Sequence, residues 1–294
     1  MTDIIKFHIA KSLANKLLGK TCTKVDRGRN NWVFENKNSI LTIPRHERVK
    51  DYRLRVAANR MLDSHGIPVV KIMEYHEKSK ETLEYLIVKK LDGEHSNLET
   101  RTEKERDSIH QSSGEVLKAI HQIQGQEYGR LDENLIGTKP DWGSFIDWFF
   151  YSSLKRVESV PDLKSEYSDM LRNEYESTKE IAKNFSSPSI LHADFHMDNL
   201  FYKNDKVLAV LDLDIMSSGN PNWDTGHYCH TFNYDRKNGV KSFRKGYGQE
   251  TNSKHERLYC LSIWTRKLGS QGQNRRGALK ETIPELKRIL NEKV

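Results

Sequence analysis

Cysteine is scarce in this chain. Cys22, Cys229 and Cys260 are the only three, they lie far apart, and no CxxC pair occurs. An odd, scattered set excludes a disulfide framework and fits a reducing compartment. Long apolar runs are also missing. No stretch approaches the ~18 apolar residues of a membrane span. The opening MTDIIKFHIAKSLANKLL has neither a long apolar core nor a small-residue cleavage pattern. The expectation is a cytoplasmic protein with no membrane partner. Internal repeats and low-complexity segments are absent. Blocks of like charge are absent as well: the net charge is +7, but Lys and Arg are spread along the chain. That distribution does not indicate a nucleic-acid partner. What is present is a globular composition, with 36% apolar, 9% aromatic and 30% charged residues over 294 positions. This is enough for one large domain or two lobes.

The informative stretch is ILHADFHMDNLFYKNDKVLAVLDLD, Ile190 to Asp214. Ile190 and Leu191 end an apolar run and a polar loop follows. Leu200 to Tyr202 and Val207 to Leu211 are two extended apolar runs, and Asn204-Asp205 between them is a turn signal. A hairpin brings its ends together, so Asn199 and Asp212 should lie side by side. They would offer two oxygen ligands for a hard cation such as Mg²⁺. Asp194, at the other end of the loop, is a carboxylate able to meet a hydroxyl. Two other readings fit the same letters. His192, Asp194 and His196 have the residue types of a metal-dependent hydrolase centre, and Asp194 could simply cap turns in a loop.

His192-Ala193-Asp194 followed by Asn199 has the HxDxxxxN spacing of the protein-kinase catalytic loop, and Asp212-Leu213-Asp214 stands where kinases carry their metal-binding DFG. With His196 in the middle and GNPNWD at 219–224, the stretch more closely resembles the aminoglycoside phosphotransferases and their choline- and macrolide-kinase relatives. Their motifs read HGDxHxxN and then IDWxxxxxGDPxxD. The resemblance implies an α+β, protein-kinase-like, two-lobed fold. A small five-stranded antiparallel lobe with one helix would span residues 1–91 and end in a hinge. A larger, mainly helical lobe for catalysis and substrate would span 92–294. It implies Asp194 as catalytic residue, Asn199 and Asp212 as Mg²⁺ ligands, and ATP or GTP as co-substrate. Asp224 is expected to brace the catalytic loop.

The order of elements agrees with that expectation. Residues 4–18 have helical spacing ended by Gly19. Strands are expected at 21–25, 32–34, 40–43, 69–75 and 83–88, and a helix over 49–63 should turn Val49, Tyr52, Val56 and Met61 inward. The polar loop holding Gly28 and Asn30 resembles the phosphate-covering end of a kinase small lobe. Lys89 to Leu91 resembles the hinge, where backbone groups meet a purine edge. One departure is sharp. Where the family carries a third-strand lysine that grips the nucleotide phosphates, this chain has Thr42. No acid stands between Tyr52 and Leu62 to pair with such a lysine. Either Arg45, Arg53 or Arg55 replaces the missing charge, or the protein is a silent nucleotide-binding module.

In the remainder, helices are expected over 103–124, 163–185, 238–248, 254–268 and 280–292. His121 is expected to be structural, and the aromatic run Trp142 to Phe150 to be core. A basic C-terminal third, with Lys241, Arg244, Lys245, Arg266, Lys267, Arg275 and Arg276, argues mildly against a strongly cationic acceptor. The overall expectation is a phosphotransferase acting on a hydroxyl of an antibiotic, of aminoglycoside or macrolide type, or of another hydroxylated metabolite. It should work as a monomer or weak dimer.

Overall fold

Alternating apolar residues in the first ninety positions give a five-stranded antiparallel sheet in the computed structural model, which describes residues 6–25, 31–45, 52–95, 97–183, 185–231, 236–249, 251–274 and 279–291. The strands are β1 (Thr23–Val25), β2 (Asn31–Glu35), β3 (Ser39–Pro44), β4 (Ile72–His76) and β5 (Tyr85–Lys89), in the order β1-β2-β3-β5-β4. Side chains on a strand alternate between faces, and both faces here are covered. Helix α1 (Phe7–Leu18) packs Ala10 and Ala14 with Phe34, Leu41, Ile43, Tyr85 and Ile87. Helix α2 (Tyr52–Ser64) packs Tyr52 and Val56 with the alternate residues Leu86 and Val88. Leu62, not Met61, completes the buried face of α2. It lies on the i, i+3, i+4 stripe begun by Tyr52 and Val56, whereas Met61 falls beside it. Val49 lies outside the described residues.

Clustering of the chain gives two compact units. One comprises residues 1–96, 133–135 and 199–214, the other residues 97–132, 136–198 and 215–294. The second unit opens with α3 (Glu103–His121). Thr102 and Glu105 form a reciprocal capping box at its start. There follow β6 (Tyr128–Leu131), β7 (Gly137–Lys139), α4 (Trp142–Glu158), α5 (Pro161–Thr178), α6 (Glu180–Lys183) and β8 (Ser189–Leu191). The chain then returns to the first unit as a hairpin of β9 (Leu200–Lys203) and β10 (Lys206–Val210). Asn204 and Asp205 both adopt left-handed backbone, φ 51° and 59°, as a tight primed turn requires. Glu94 and Tyr202 exchange backbone hydrogen bonds of 2.9 and 2.8 Å, and the Val210 N–H donates to Pro68 at 2.8 Å.

The rest belongs to the second unit: β11 (Ser217–Gly219), α7 (Asn222–Thr231), α8 (Arg236–Tyr247), α9 (Ser253–Asn274) and α10 (Leu279–Asn291). A four-stranded sheet in the order β7-β6-β11-β8 carries the loop after β8. Its strands are short and partly polar, so period-two patterning does not reveal them. Helix α9 runs six residues beyond the Leu268 expected from sequence. Its Gly269 and Gly272 sit against Arg156 and Leu163, where a Cβ would collide. The aromatic run is core, as expected: Trp142, Phe145, Phe149 and Phe150 are buried with Leu258, Tyr259, Leu261 and Leu268, and Trp148 is the one exposed aromatic residue of that run. Among the described residues no helix is long and apolar enough to cross a membrane.

Candidate active site

The loop after β8 is held by one carboxylate. Asp224, fully buried on α7, accepts hydrogen bonds from the His192 and Ala193 backbone N–H groups at 2.7 and 2.9 Å. Its Oδ2 also lies 3.2 Å from His121 Nε2, and His121 Nδ1 lies 2.9 Å from the Tyr247 hydroxyl. His121 is therefore a structural residue, and Asp224 is the brace expected from the sequence. Trp223 Nε1 donates to the Ala193 carbonyl at 3.4 Å. These contacts fix Ala193 at φ 67°, a conformation costing an L-residue roughly 1–2 kcal/mol. Ala193 stands where the resembled motif carries glycine, so the strain explains that glycine.

The same loop aims Asp194. Its own N–H donates to His192 Nδ1 at 3.3 Å. His192 is buried, with its ring against Phe195 at 5.7 Å. His192 thus shapes the turn. Asp194 Oδ2 lies 3.6 Å from His196 Nε2, and Oδ1 lies 3.8 Å from His227 Nδ1. Burial pushes the Asp194 carboxyl up, but the His196 hydrogen bond and the histidines around it outweigh burial and hold it well below the usual carboxylate range. Burial, with Lys267 next in effect, pushes the His227 imidazole well down, and the Asp194 carboxylate opposes them. Lys267 Nζ is 3.3 Å from His227 Nε2. His192, Asp194 and His196 do not converge as ligands. Among the described residues no group of three His, Cys, Asp or Glu side chains is placed to hold a metal ion.

In the first unit, Asn199 and Asp212 stand at the two ends of the hairpin. The Leu211 N–H donates to the Asn199 carbonyl at 2.8 Å, joining the residues that flank β9 and β10. Asp212 has φ 55°, a left-handed conformation that is strained for a residue with a side chain. Asn199 is almost buried, at 9% exposure. An amide and a carboxylate at paired strand ends form an all-oxygen donor set, which fits Mg²⁺ with its remaining positions taken by phosphate and water.

Asp214, two residues on, pairs with Arg55 of α2 at 3.8 Å, with side-chain exposures of 6% and 17%. Of the three arginines singled out by sequence, Arg55 pairs with this acidic turn. Arg45 donates to the Asn31 carbonyl at 3.0 Å and lies 4.3 Å over the Trp32 ring. Arg53 is about half exposed and faces Glu77 and Glu133, each at 3.9 Å. Thr42, on β3, is buried and donates weakly to the Leu86 carbonyl at 3.4 Å. Lys89 ends β5 opposite Ser39 of β3, with an exposed side chain. Lys90 donates its backbone N–H to Asn38 at 2.8 Å and pairs with Glu35 at 2.9 Å. Leu91 is partly buried beyond it. Gly28 and Asn30 lie outside the described residues.

Sequence reasoning missed Arg130 and His227 near Asp194, and it named Arg266 and Lys267 only as part of a basic C-terminal third. Only His227 left a local signal. It follows Asp224 by three residues on α7, which places both on one helix face.

The sequence profile of the phosphotransferase enzyme family matches residues 21–260. No curated protein sequence matches the chain. Among solved structures, the apo form of a thermostable mutant of aminoglycoside phosphotransferase APH(4)-Ia is similar, with TM-score 0.75 and 17% identity over 95% of this chain and 98% of that one. Its ternary complex with AMP-PNP and hygromycin B gives 0.74 and 17% over 95% and 97%. The gentamicin complex of APH(2'')-IIa gives 0.67 and 18% over 100% and 98%. These similarities establish a kinase-like aminoglycoside phosphotransferase fold. With the profile spanning most of its length, the chain belongs to the phosphotransferase enzyme family.

Proposed function

We propose that the protein transfers the γ-phosphate of ATP or GTP to a hydroxyl of a small molecule, either an antibiotic of aminoglycoside or macrolide type or another hydroxylated metabolite. The observation that carries this reading is the placement of Asp194, 3.6 Å from His196, on a loop clamped by buried Asp224. Solved relatives of the same fold bind AMP-PNP with hygromycin B and gentamicin, which supports a nucleotide and a hydroxylated acceptor here. Residues 1–91 would serve as the nucleotide lobe and 92–294 as the catalytic lobe. Thr42, Lys89, Leu91 and the loop with Gly28 and Asn30 would line the nucleotide.

Asp194 orients the acceptor hydroxyl and takes its proton late. The acceptor oxygen bonds to Pγ, the bond from Pγ to the β–γ bridging oxygen breaks, and the nucleoside diphosphate leaves. The transition state is loose, so positioning and charge neutralisation supply most of the rate and a strong base is unnecessary. Asn199 and Asp212 would hold Mg²⁺, which neutralises phosphate charge when bound. Arg55, anchored by Asp214, supplies the cation that Thr42 does not. It does so as a planar fork able to meet phosphate bidentately.

One observation favours a silent nucleotide-binding module instead: no lysine occupies the third-strand position, where the Thr42 hydroxyl meets the Leu86 carbonyl and the Tyr52 side chain. Nucleotide consumption with Mg²⁺ over a panel of hydroxylated antibiotics and sugars separates the two. Phosphorylated product supports the kinase. Nucleotide binding without product on any acceptor supports the silent module.

A further inference from the structure

Resting on the kinase reading above, we infer that the acceptor is an anion, a hydroxylated compound carrying a phosphate or carboxylate group, rather than a polycation. The second unit gathers cations around Asp194 from two elements, Arg130 on β6 and Arg266 with Lys267 on α9, and Arg156 on α4 lies near the two arginines. The placement is geometric. Arg266 sits 5.3 Å over the Phe149 ring, Phe149 packs edge-on against Trp223 at 4.9 Å, and Trp223 Nε1 donates to the carbonyl of Ala193, next to Asp194. Arg130 lies in β6 opposite Ser217 of β11, which also pairs with Leu191 just before the loop. Lys267 reaches Asp194 through His227.

Among the described residues Arg130 and Arg266 make no side-chain hydrogen bond and no ion pair. Both are partly buried. Burial and their mutual repulsion push the Arg130 guanidinium down to about 10, and burial with Arg156 lowers Arg266. The one acid felt by both is Asp194, which the reaction occupies with the hydroxyl. Two half-buried guanidinium groups without carboxylate partners are unfavourable alone, and an oxyanion relieves both desolvation and repulsion. Arginine forks suit phosphate or carboxylate bidentately. Lys139 extends the same sign outward, 5.5 Å from the exposed Trp148 ring. A polyamine-like acceptor would meet repulsion from every one of these groups. In transfer the anionic group stays unreacted, while the bonds made and broken at Pγ are those given above.

The test uses the full chain with Mg²⁺ and ATP or GTP and four probes: glucose 6-phosphate, glucuronate, glucose and kanamycin. Phosphorylated product is read by mass spectrometry. Direct binding of each probe is read by calorimetry in the presence of saturating ADP and Mg²⁺. Expected is turnover or binding of one or both anionic probes, with glucose 6-phosphate and glucuronate separating phosphate from carboxylate. Arg130→Gln and Arg266→Gln should each weaken it about tenfold, while ADP affinity stays within about twofold. Binding of an anion that depends on both arginines, with no product from any probe, removes the kinase reading and keeps the anion site. Phosphorylation or binding of kanamycin with neither anion bound overturns the inference and keeps the kinase. Equal loss of ADP affinity in the two variants also overturns it, because the arginines would then serve the nucleotide. Failure of both anions to bind or react overturns it in every other case.

Discussion

Replacing Asp224 by alanine removes the acceptor for two buried N–H groups, those of His192 and Ala193 at 2.7 and 2.9 Å. Each buried donor left without a partner costs roughly 1–3 kcal/mol, and bonds to a carboxylate sit toward the upper end. The loss from the two amides is therefore about 4 kcal/mol. His121 Nε2 loses its neighbour at 3.2 Å as well, so this figure is a lower one. For a unit of this size about 4 kcal/mol corresponds to a fall in Tm of roughly 8–16 °C. Function should fall further than stability at temperatures where the variant is folded. The brace is what holds Ala193 in its left-handed conformation, φ 67°, and released strain rotates Asp194 away from its aim. Asp224→Asn keeps one acceptor oxygen and should lose about half as much. Thermal unfolding and urea titration monitored by tryptophan fluorescence read these effects. An Asp224→Ala protein within about 1 kcal/mol of the parent would refute the bracing argument.

Arg55→Ala should cost about 1–3 kcal/mol of stability, since it leaves the nearly buried Asp214 carboxylate without its 3.8 Å partner. It should also weaken nucleotide binding about tenfold, read by calorimetry with ADP and Mg²⁺. Arg53→Ala should cost less than Arg55→Ala in the same assays, because its ion pairs with Glu77 and Glu133 at 3.9 Å are exposed and worth at most about 1 kcal/mol each. Thr42→Val removes a weak 3.4 Å bond to the Leu86 carbonyl and the contact with the buried Tyr52 hydroxyl and should cost about 1–2 kcal/mol in urea titration. The pH dependence follows from Asp194, whose folded value lies below the ordinary 3.8. A depressed carboxyl contributes stability above its unfolded value and loses it as pH falls through the folded one. Between pH 5 and 8 the kcat profile should accordingly show no acid limb that disappears in Asp194→Glu.

The sheet and the hairpin were legible because their signals are local. Alternation in β3 and β5 sorts Tyr85 and Ile87 from Leu86 and Val88, and Asn204-Asp205 is a turn whatever surrounds it. The β7-β6-β11-β8 sheet was not legible, since strands such as Gly137–Lys139 and Ser217–Gly219 are too short and polar to show a period. The extension of α9 past Leu268 was hidden by glycines that helix packing, not propensity, requires. The choice of Arg55 among three arginines was half legible. Residues two apart on a helix point to nearly opposite sides, and Arg55 lies one turn beyond buried Tyr52, whose ring is 5.8 Å away. The gathering of Arg130, Arg266, Lys267 and His227 around Asp194 joins four distant segments, so only folding brings it into view.

The most direct test is a comparison of the parent protein with Asp194→Asn, using an acceptor that the parent phosphorylates and following phosphorylated product by ³¹P NMR. Asparagine keeps the shape of the loop and removes the group that takes the hydroxyl proton. The account predicts unchanged ADP affinity and a loss of transfer of about 10²–10⁴-fold. Transfer at the parental rate by Asp194→Asn would contradict it.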